Sequence, residues 1–109
     1  MRIIAGAGEF VRPAGSDQAD WTEQFRVPDL SIGTYSISAG GTDGQSPHTE
    51  DEIYVVTAGR ATMESGGERA EVGPGAVIYV PAGEVHRFTD ITEDLALLVI
   101  FGPAEDSRA

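Results

Sequence analysis

Apolar residues recur mostly at every second position along this chain, in short stretches separated by glycine and proline. A period of two is typical of strands with one covered face, and several such strands predict an all-β sandwich or barrel. We find no helical stripe of useful length. The predicted strand segments are 21–27, 30–38, 53–56, 60–64, 69–72, 76–80, 85–89 and 95–101.

Glycine and proline predict where these segments turn. Paired glycines at 66 and 67 favour a tight hairpin, because glycine accepts the positive φ of a type I′ turn. Residues 81–83 predict a second turn, residues 40–45 a loop, and residues 103–109 a frayed tail. Residues 95–101 are apolar throughout, which predicts a strand buried on both faces.

Composition narrows the possible functions of this 109-residue chain, which is long enough for one domain. The absence of cysteine excludes thiol nucleophiles and Cys-ligated zinc, and mildly favours a reducing compartment, so we expect a cytoplasmic protein. The absence of lysine excludes Schiff-base chemistry. A net charge of −11 argues against nucleic acid and anionic membranes as partners, and no apolar run is long enough to span a bilayer.

Both histidines of the chain fall in two glycine-anchored patterns. The first pattern contains Gly40, Ser46, His48, Glu52 and Gly59, and the second contains Gly75, Pro81, Gly83, His86 and Asp90. Their spacing resembles the two motifs of the cupin family over residues 40–90. Two positions depart from the family pattern: Ser46 stands where the family has its first histidine, and Asp90 where it has asparagine.

The resemblance implies one cupin domain over residues 1–109, folded as a double-stranded β-helix or jelly-roll barrel, with a strand region at 1–29 and a tail at 103–109. It also implies one divalent metal ion held by His48, Glu52 and His86. Two imidazoles and a carboxylate suit Fe, Mn, Ni, Co or Zn, which leaves the metal open. Because Ser46 is a poor ligand, water would take the fourth position and binding would be weak.

Strand geometry constrains this site. His48 and Glu52 would stand about 13 Å apart in one continuous strand, so a turn at 49–51 has to fold the chain between them. Alternation predicts two sets of side chains inside the barrel. The inward sets are Glu52, Tyr54 and Val56, and His86, Phe88 and Asp90; Ile53, Val55 and Arg87 then face outward.

The expected lumen is apolar and aromatic. Its pocket residues are Ser46, Tyr35, Tyr54, Met63 and Phe88, and Tyr54 is a candidate catalytic residue.

Three acidic residues have other predicted roles. Glu50 is expected to lie exposed on the turn; the alternative is that it binds the metal in place of Ser46 or Glu52. Asp90 is expected to accept a structural hydrogen bond. Asp51 is too close in sequence to Ser46 and His48 to form a catalytic triad with them.

Two functions from different classes follow from the resemblance. One is a metal-dependent enzyme acting on a small molecule, by oxygen insertion or by proton-transfer isomerisation or cyclisation, with an enol, diketone or aromatic substrate. The alternative is a non-catalytic small-ligand-binding or sensor domain. We also expect a homodimer, because Trp21, Phe25 and Val27 form one apolar strand face and the apolar run 95–101 needs cover.

Overall fold

A computed structural model describes residues 1–44 and 46–109. Gln45, the last residue of the predicted loop 40–45, lies outside the described residues. The described chain is built of strands and contains no helix. The strands are β1 (Ala19–Val27), β2 (Leu30–Ile37), β3 (Asp51–Ser65), β4 (Glu68–Val72), β5 (Val77–Val80) and β6 (His86–Gly102).

All strand pairs are antiparallel, and the strand order is β1-β2-β6-β3-β4, with β5 also pairing with β3. This arrangement confirms the all-β fold. The predicted hairpin between β3 and β4 is present, with Ser65 opposite Glu68 and positive φ at both Gly66 and Gly67. Among the described residues, no helix is long and apolar enough to cross a membrane.

Two predicted chain breaks are bulges within long strands. Segments 53–56 and 60–64 both belong to β3, and segments 85–89 and 95–101 both belong to β6. Gly59 has φ of +87°, and a Cβ there would lie 2.2 Å from the carbonyl oxygen of Asp94 on the neighbouring strand. Glycine therefore permits a close crossing of β3 and β6, and the register shifts around it bend the paired strands.

The bulge also overturns the predicted inward orientation of Asp90. Between the pairs Thr62–Thr89 and Arg60–Glu93, β3 advances two positions and β6 advances four. Within this irregular stretch Asp90 adopts φ of +48°, and its side chain is 68% exposed. Its carboxylate accepts a hydrogen bond from Arg69 at 3.2 Å, so Asp90 is the hydrogen-bond acceptor we expected, but on the surface.

Elsewhere the predicted alternation is present. Glu52, Tyr54 and Val56 are buried while Ile53 and Val55 are only half-buried. On β6, His86 and Phe88 are buried and Arg87 is exposed. The inward side chains form one core whose members also include Ile37, Met63, Leu95, Leu97, Val99 and Phe101.

Strand β1 does not present the single apolar face that alternation predicts. A register shift between Glu23 and Phe25 reverses the orientation of the side chains that follow. Trp21 pairs with Tyr35 and packs against it at the open side of the barrel, with ring centroids 6.4 Å apart, while 39% of Trp21 stays exposed. Phe25 pairs with Ile32 on the opposite face. The Trp21 indole lies so close to Gly33 that only glycine fits there, because a Cβ at that position would lie 2.2 Å from the ring.

The outer face of the apolar run 95–101 is only partly covered. Leu98 and Ile100 are half-buried in the single chain, whereas Ala96 and the alternate residues are buried, and β6 is the central strand between β2 and β3. Cover by a partner subunit stays a prediction. The chain's own N-terminal segment provides part of the cover. The amide of Gly8 donates to Thr34 Oγ1 at 2.8 Å, and the amide of Val11 donates to Ser36 Oγ at 2.9 Å.

The C-terminal residues form a turn that is hydrogen-bonded to the barrel. The Glu50 carboxylate accepts hydrogen bonds from the backbone amides of Asp106 at 2.7 Å and Arg108 at 3.0 Å. The amide of Glu105 donates to Ser31 Oγ at 2.8 Å. Glu50 is only 1% exposed, which corrects its predicted exposed position and shows that its carboxylate is engaged in anchoring this turn.

Candidate metal centre

The first two side chains of the candidate site come from the start of β3 and the bend before it. The chain bends at 49–50, between His48 and Glu52, as the spacing argument requires. The adjacent loop that leads to His86 is hydrogen-bonded to this bend. Gly83 donates its amide to the His48 carbonyl at 2.7 Å, and Ala82 donates to Asp51 Oδ1 at 2.9 Å. The two motif regions are therefore held against each other by hydrogen bonds from the backbone amides of Ala82 and Gly83.

These elements bring His48, Glu52 and His86 together. One ligand atom from each lies within 4.8 Å of the others. Glu52 Oε1 is 3.2 Å from His86 Nε2, and Glu52 Oε2 is 3.9 Å from His48 Nε2. Glu52 and His86 are 1% and 4% exposed, whereas His48 is half-buried at the open side. The two imidazoles thus direct their Nε2 atoms at one carboxylate.

The Glu52 carboxylate has the surroundings of a metal ligand. Both of its oxygens are buried, and no described residue gives either a hydrogen bond. His86 Nε2 lies within 3.2 Å of Oε1, but in neutral His86 the proton is on Nδ1, so Nε2 has none to donate. Burying a carboxylate without donors costs several kcal/mol as an order of magnitude, and a cation between Glu52 and the two imidazoles would offset that cost. The donor set therefore fits a divalent metal ion.

The orientation of His86 is fixed from its other nitrogen. His86 Nδ1 lies 2.8 Å from the carbonyl oxygen of Glu84, which can only accept, so Nδ1 carries a proton. The Nε2 atom then faces the Tyr54 hydroxyl at 3.0 Å and the Glu52 carboxylate. Burial opposes a charge on His86, but Glu52 and the Glu84 carbonyl favour it, and the net effect raises the His86 pKa. Proton and metal would compete for the same Nε2 atom.

A fourth ionisable group reaches the site from the C-terminal turn. Glu105 Oε2 lies 3.6 Å from His48 Nδ1, and the Glu105 side chain is 17% exposed. Burial raises the pKa of Glu105 to about 7, and the carboxylates of Asp106, Glu23 and Glu52 act in the same direction. Sequence reasoning missed Glu105, because nothing in residues 103–109 signals a turn that returns to the barrel mouth.

A cavity of about 150 Å³ opens beside His48 and Glu52. Its lining residues are Trp21, Tyr35, His48, Glu52, Val99, Phe101 and Glu105. Most of this wall is aromatic or aliphatic, and the described lining includes no arginine. Trp21 packs edge-on against Phe101 with ring centroids 6.1 Å apart, and Phe101 packs against the His48 ring at 4.7 Å.

The predicted pocket residues occupy different places. Tyr35 lines the cavity. Tyr54 and Phe88 are buried in the core with ring centroids 5.1 Å apart, and Met63 is buried opposite Phe88 on the paired strand. Ser46 is exposed to solvent. Trp21, which we expected outside the barrel, is a cavity residue instead, because of the register shift in β1.

Asp43 is a second buried acidic residue that the sequence did not indicate. Its carboxylate accepts a hydrogen bond from the Tyr35 hydroxyl at 2.7 Å and another from the Phe88 amide at 2.8 Å. Burial and the nearby Asp43 carboxylate raise the pKa of Tyr35, so this phenol stays protonated. Asp43 therefore ties the loop before His48 to β2 and β6.

Comparison with known proteins agrees with this architecture. The cupin domain family model matches residues 33–101, which is more than half of the chain. The chain belongs to the cupin family. This cupin is 46% identical over 92 residues to uncharacterized protein SCO3923 of Streptomyces coelicolor, across 84% of this chain and 87% of that protein.

Solved structures share the fold at low identity. KdgF from Halomonas sp. is 20% identical, with a TM-score of 0.76 over 90% of this cupin and 89% of that chain. TT1209 from Thermus thermophilus is also 20% identical, with a TM-score of 0.72 over 85% of this cupin and 90% of that chain. At this identity the likeness shows the fold alone.

Proposed function

We propose that this cupin binds one divalent metal ion through His48, Glu52 and His86 and is an enzyme that acts on a small organic molecule in the adjoining cavity. The observation that supports it most is the Glu52 carboxylate, which is buried without a hydrogen-bond donor between two imidazole Nε2 atoms. A divalent ion at this position supplies Lewis acidity, and iron in addition supplies oxygen chemistry.

The residues of the cavity favour a particular kind of substrate. Trp21, Val99 and Phe101 would bind an apolar or aromatic body and exclude water from it. The described lining of the cavity offers an anionic substrate group no arginine, and Glu105 adds a carboxylate there. A neutral diketone, enol or phenol fits this wall better than a sugar phosphate.

Two tyrosines have defined roles in the proposal. Tyr54 holds its hydroxyl 3.0 Å from His86 Nε2, next to the position of the metal, where it would exchange a proton with a metal-bound group and not with the metal-bound imidazole. Tyr35 stays protonated and is engaged with Asp43, which keeps its ring as a wall of the cavity. Tyr54 is therefore our candidate for the residue that handles a proton, and Tyr35 has a positional role.

The second candidate function is a binder of small ligands without turnover. The observation in its favour is Ser46, which stands at the family's first histidine position and is exposed to solvent. With three protein ligands where the family motif has four positions, the metal would be held less rigidly.

We also propose that the protein is cytoplasmic.

Turnover measurements distinguish the two functions. Metal-loaded protein should convert at least one neutral diketone or phenol from a panel that also contains keto acids. His86→Ala and chelator-treated wild type should both fall to background, because each lacks the metal. Arg87→Ala serves as the matched control, since Arg87 is the next residue on β6 and is exposed. Saturable binding of panel members without any product would support the binder instead.

A further inference from the structure

We propose that the Glu105 carboxylate orients the His48 imidazole by contacting its Nδ1 atom, on the side of the ring away from the metal. The C-terminal turn places Glu105 at this position. This inference rests on the proposed function, because it assumes a metal at Nε2 of His48. Glu105 would act through His48 and would not itself bind the metal. It is therefore a positioning residue.

Each imidazole of the candidate site has two nitrogens, and only one of them would bind the metal. A histidine that binds a metal through one nitrogen normally donates its other N–H to a carbonyl or a carboxylate, which fixes the ring and makes it a better ligand. For His86 the acceptor is the Glu84 carbonyl, 2.8 Å from Nδ1. For His48 a carboxylate, that of Glu105, lies 3.6 Å from Nδ1.

The orientation of His48 matches this role. Its Nε2 atom faces Glu52 and its Nδ1 atom faces Glu105, so the two carboxylates lie on opposite sides of the ring. Phe101 packs edge-on against the ring at 4.7 Å and limits its tilt. The 3.6 Å separation is a charge contact, longer than a hydrogen bond. A metal at Nε2 would make the Nδ1 proton more acidic, and we expect this contact to shorten in the metal-bound protein.

Several hydrogen bonds place Glu105. Its amide donates to Ser31 Oγ at 2.8 Å, and its carbonyl accepts from Arg26 at 2.8 Å. Next along the chain, the backbone amides of Asp106 and Arg108 donate hydrogen bonds to the Glu50 carboxylate. Both sides of Glu105 are thus attached to the barrel, which holds its side chain over the cavity.

Metal titration of three variants tests the inference. Glu105→Ala removes the carboxylate, and Glu105→Gln keeps an acceptor oxygen but removes the charge. Asp106→Asn is the matched control, because Asp106 is the neighbouring acidic residue, is exposed, and has φ of +62°, which asparagine accepts. Co²⁺ serves as the probe, with its Kd obtained by competition against a chromophoric chelator and its visible absorption spectrum recorded.

We expect Glu105→Ala to raise the Kd for Co²⁺ by about 10- to 100-fold, the range typical of outer-sphere partners. Glu105→Gln should raise it by at least about threefold, and both variants should change the Co²⁺ spectrum. Asp106→Asn should stay within about twofold of wild type, since it removes an equal charge without touching His48. The melting temperature and Trp21 fluorescence of the metal-free variants report whether the fold is intact.

The possible results separate this inference from the proposed function. If wild type binds Co²⁺ and the Glu105 variants match Asp106→Asn in Kd and spectrum, the positioning role is wrong while the metal site stands. If wild type itself binds no Co²⁺, both proposals are overturned. Should Glu105→Ala fail to fold, Glu105→Gln decides, because an unchanged Kd and spectrum in that isosteric variant would overturn the role.

Discussion

Glu50 and Glu52 are both buried and only one residue apart, yet their surroundings differ completely. Glu52 has no donor on either oxygen among the described residues. Glu50 accepts hydrogen bonds from the Thr49 hydroxyl and from the backbone amides of Asp106 and Arg108. Burial opposes ionisation of Glu50, but these donors and the nearby His48 outweigh it and lower its pKa. One carboxylate is thus available to a cation, and the other is fully used by the fold.

Replacing Glu50 with glutamine should destabilise the metal-free protein by about 1–2 kcal/mol, because it removes charge-assisted bonds to backbone amides. We expect the lower part of that range, since only the C-terminal turn separates Glu50 from solvent. A lowered native pKa stabilises the fold above the unfolded value of about 4.3. The difference between wild type and variant should therefore be complete at pH 7 and disappear as the pH falls through the native pKa of Glu50.

Urea unfolding of the metal-free proteins at pH 7 and pH 3.5 measures this difference. Glu71→Gln is the control, because Glu71 is an exposed glutamate on β4 and should leave stability unchanged. A Glu50→Gln variant as stable as wild type at pH 7 would mean that the carboxylate does not anchor the turn.

At the scale of strands, the sequence predicts their places better than their number or continuity. Alternation correctly assigns the inward set of β3, and the paired glycines correctly predict the hairpin to β4. The sequence predicts strand ends near Gly59 and Asp90, because a glycine or aspartate with positive φ serves a turn and a bulge equally well. Only the partner strand decides between them, and that partner is distant in the sequence.

The same limit applies to the candidate site. The motif spacing predicted His48, Glu52 and His86, which the fold brings within 4.8 Å. Trp21 was assigned to the wrong face, because a single register shift in β1 moves it inward. Glu105 could not be predicted, since its position depends on hydrogen bonds to residues far from it in the chain.

For the whole molecule, the expected homodimer stays a prediction. In the structure β1 pairs with β2 of the same chain, and the N-terminal segment covers part of β2 through Gly8 and Val11. Phe25 and Val27 remain on the outer side, while Val77, Tyr79 and Val85 are well exposed on the β5 side. The apolar surface available for pairing is therefore smaller around Trp21 than the sequence suggested.

Light scattering at micromolar concentration and moderate salt should report twice the chain mass of 11.5 kDa. Two chains of charge −11 repel each other, so the apparent mass should fall at low salt, where screening is weaker. A mass of one chain under moderate salt would mean that the N-terminal region covers its own barrel and no partner is needed.

The central claim is a metal ion held by His48, Glu52 and His86, and metal content tests it most directly. Wild type supplied with Co²⁺ or Zn²⁺ and dialysed should retain one ion per chain by elemental analysis at pH 7.5. Retention should fall as the pH is lowered through the raised pKa of His86, because proton and metal compete for its Nε2 atom. His86→Ala should retain none, while Arg87→Ala should match wild type. Equal metal in His86→Ala and wild type, or none in wild type, would contradict the account.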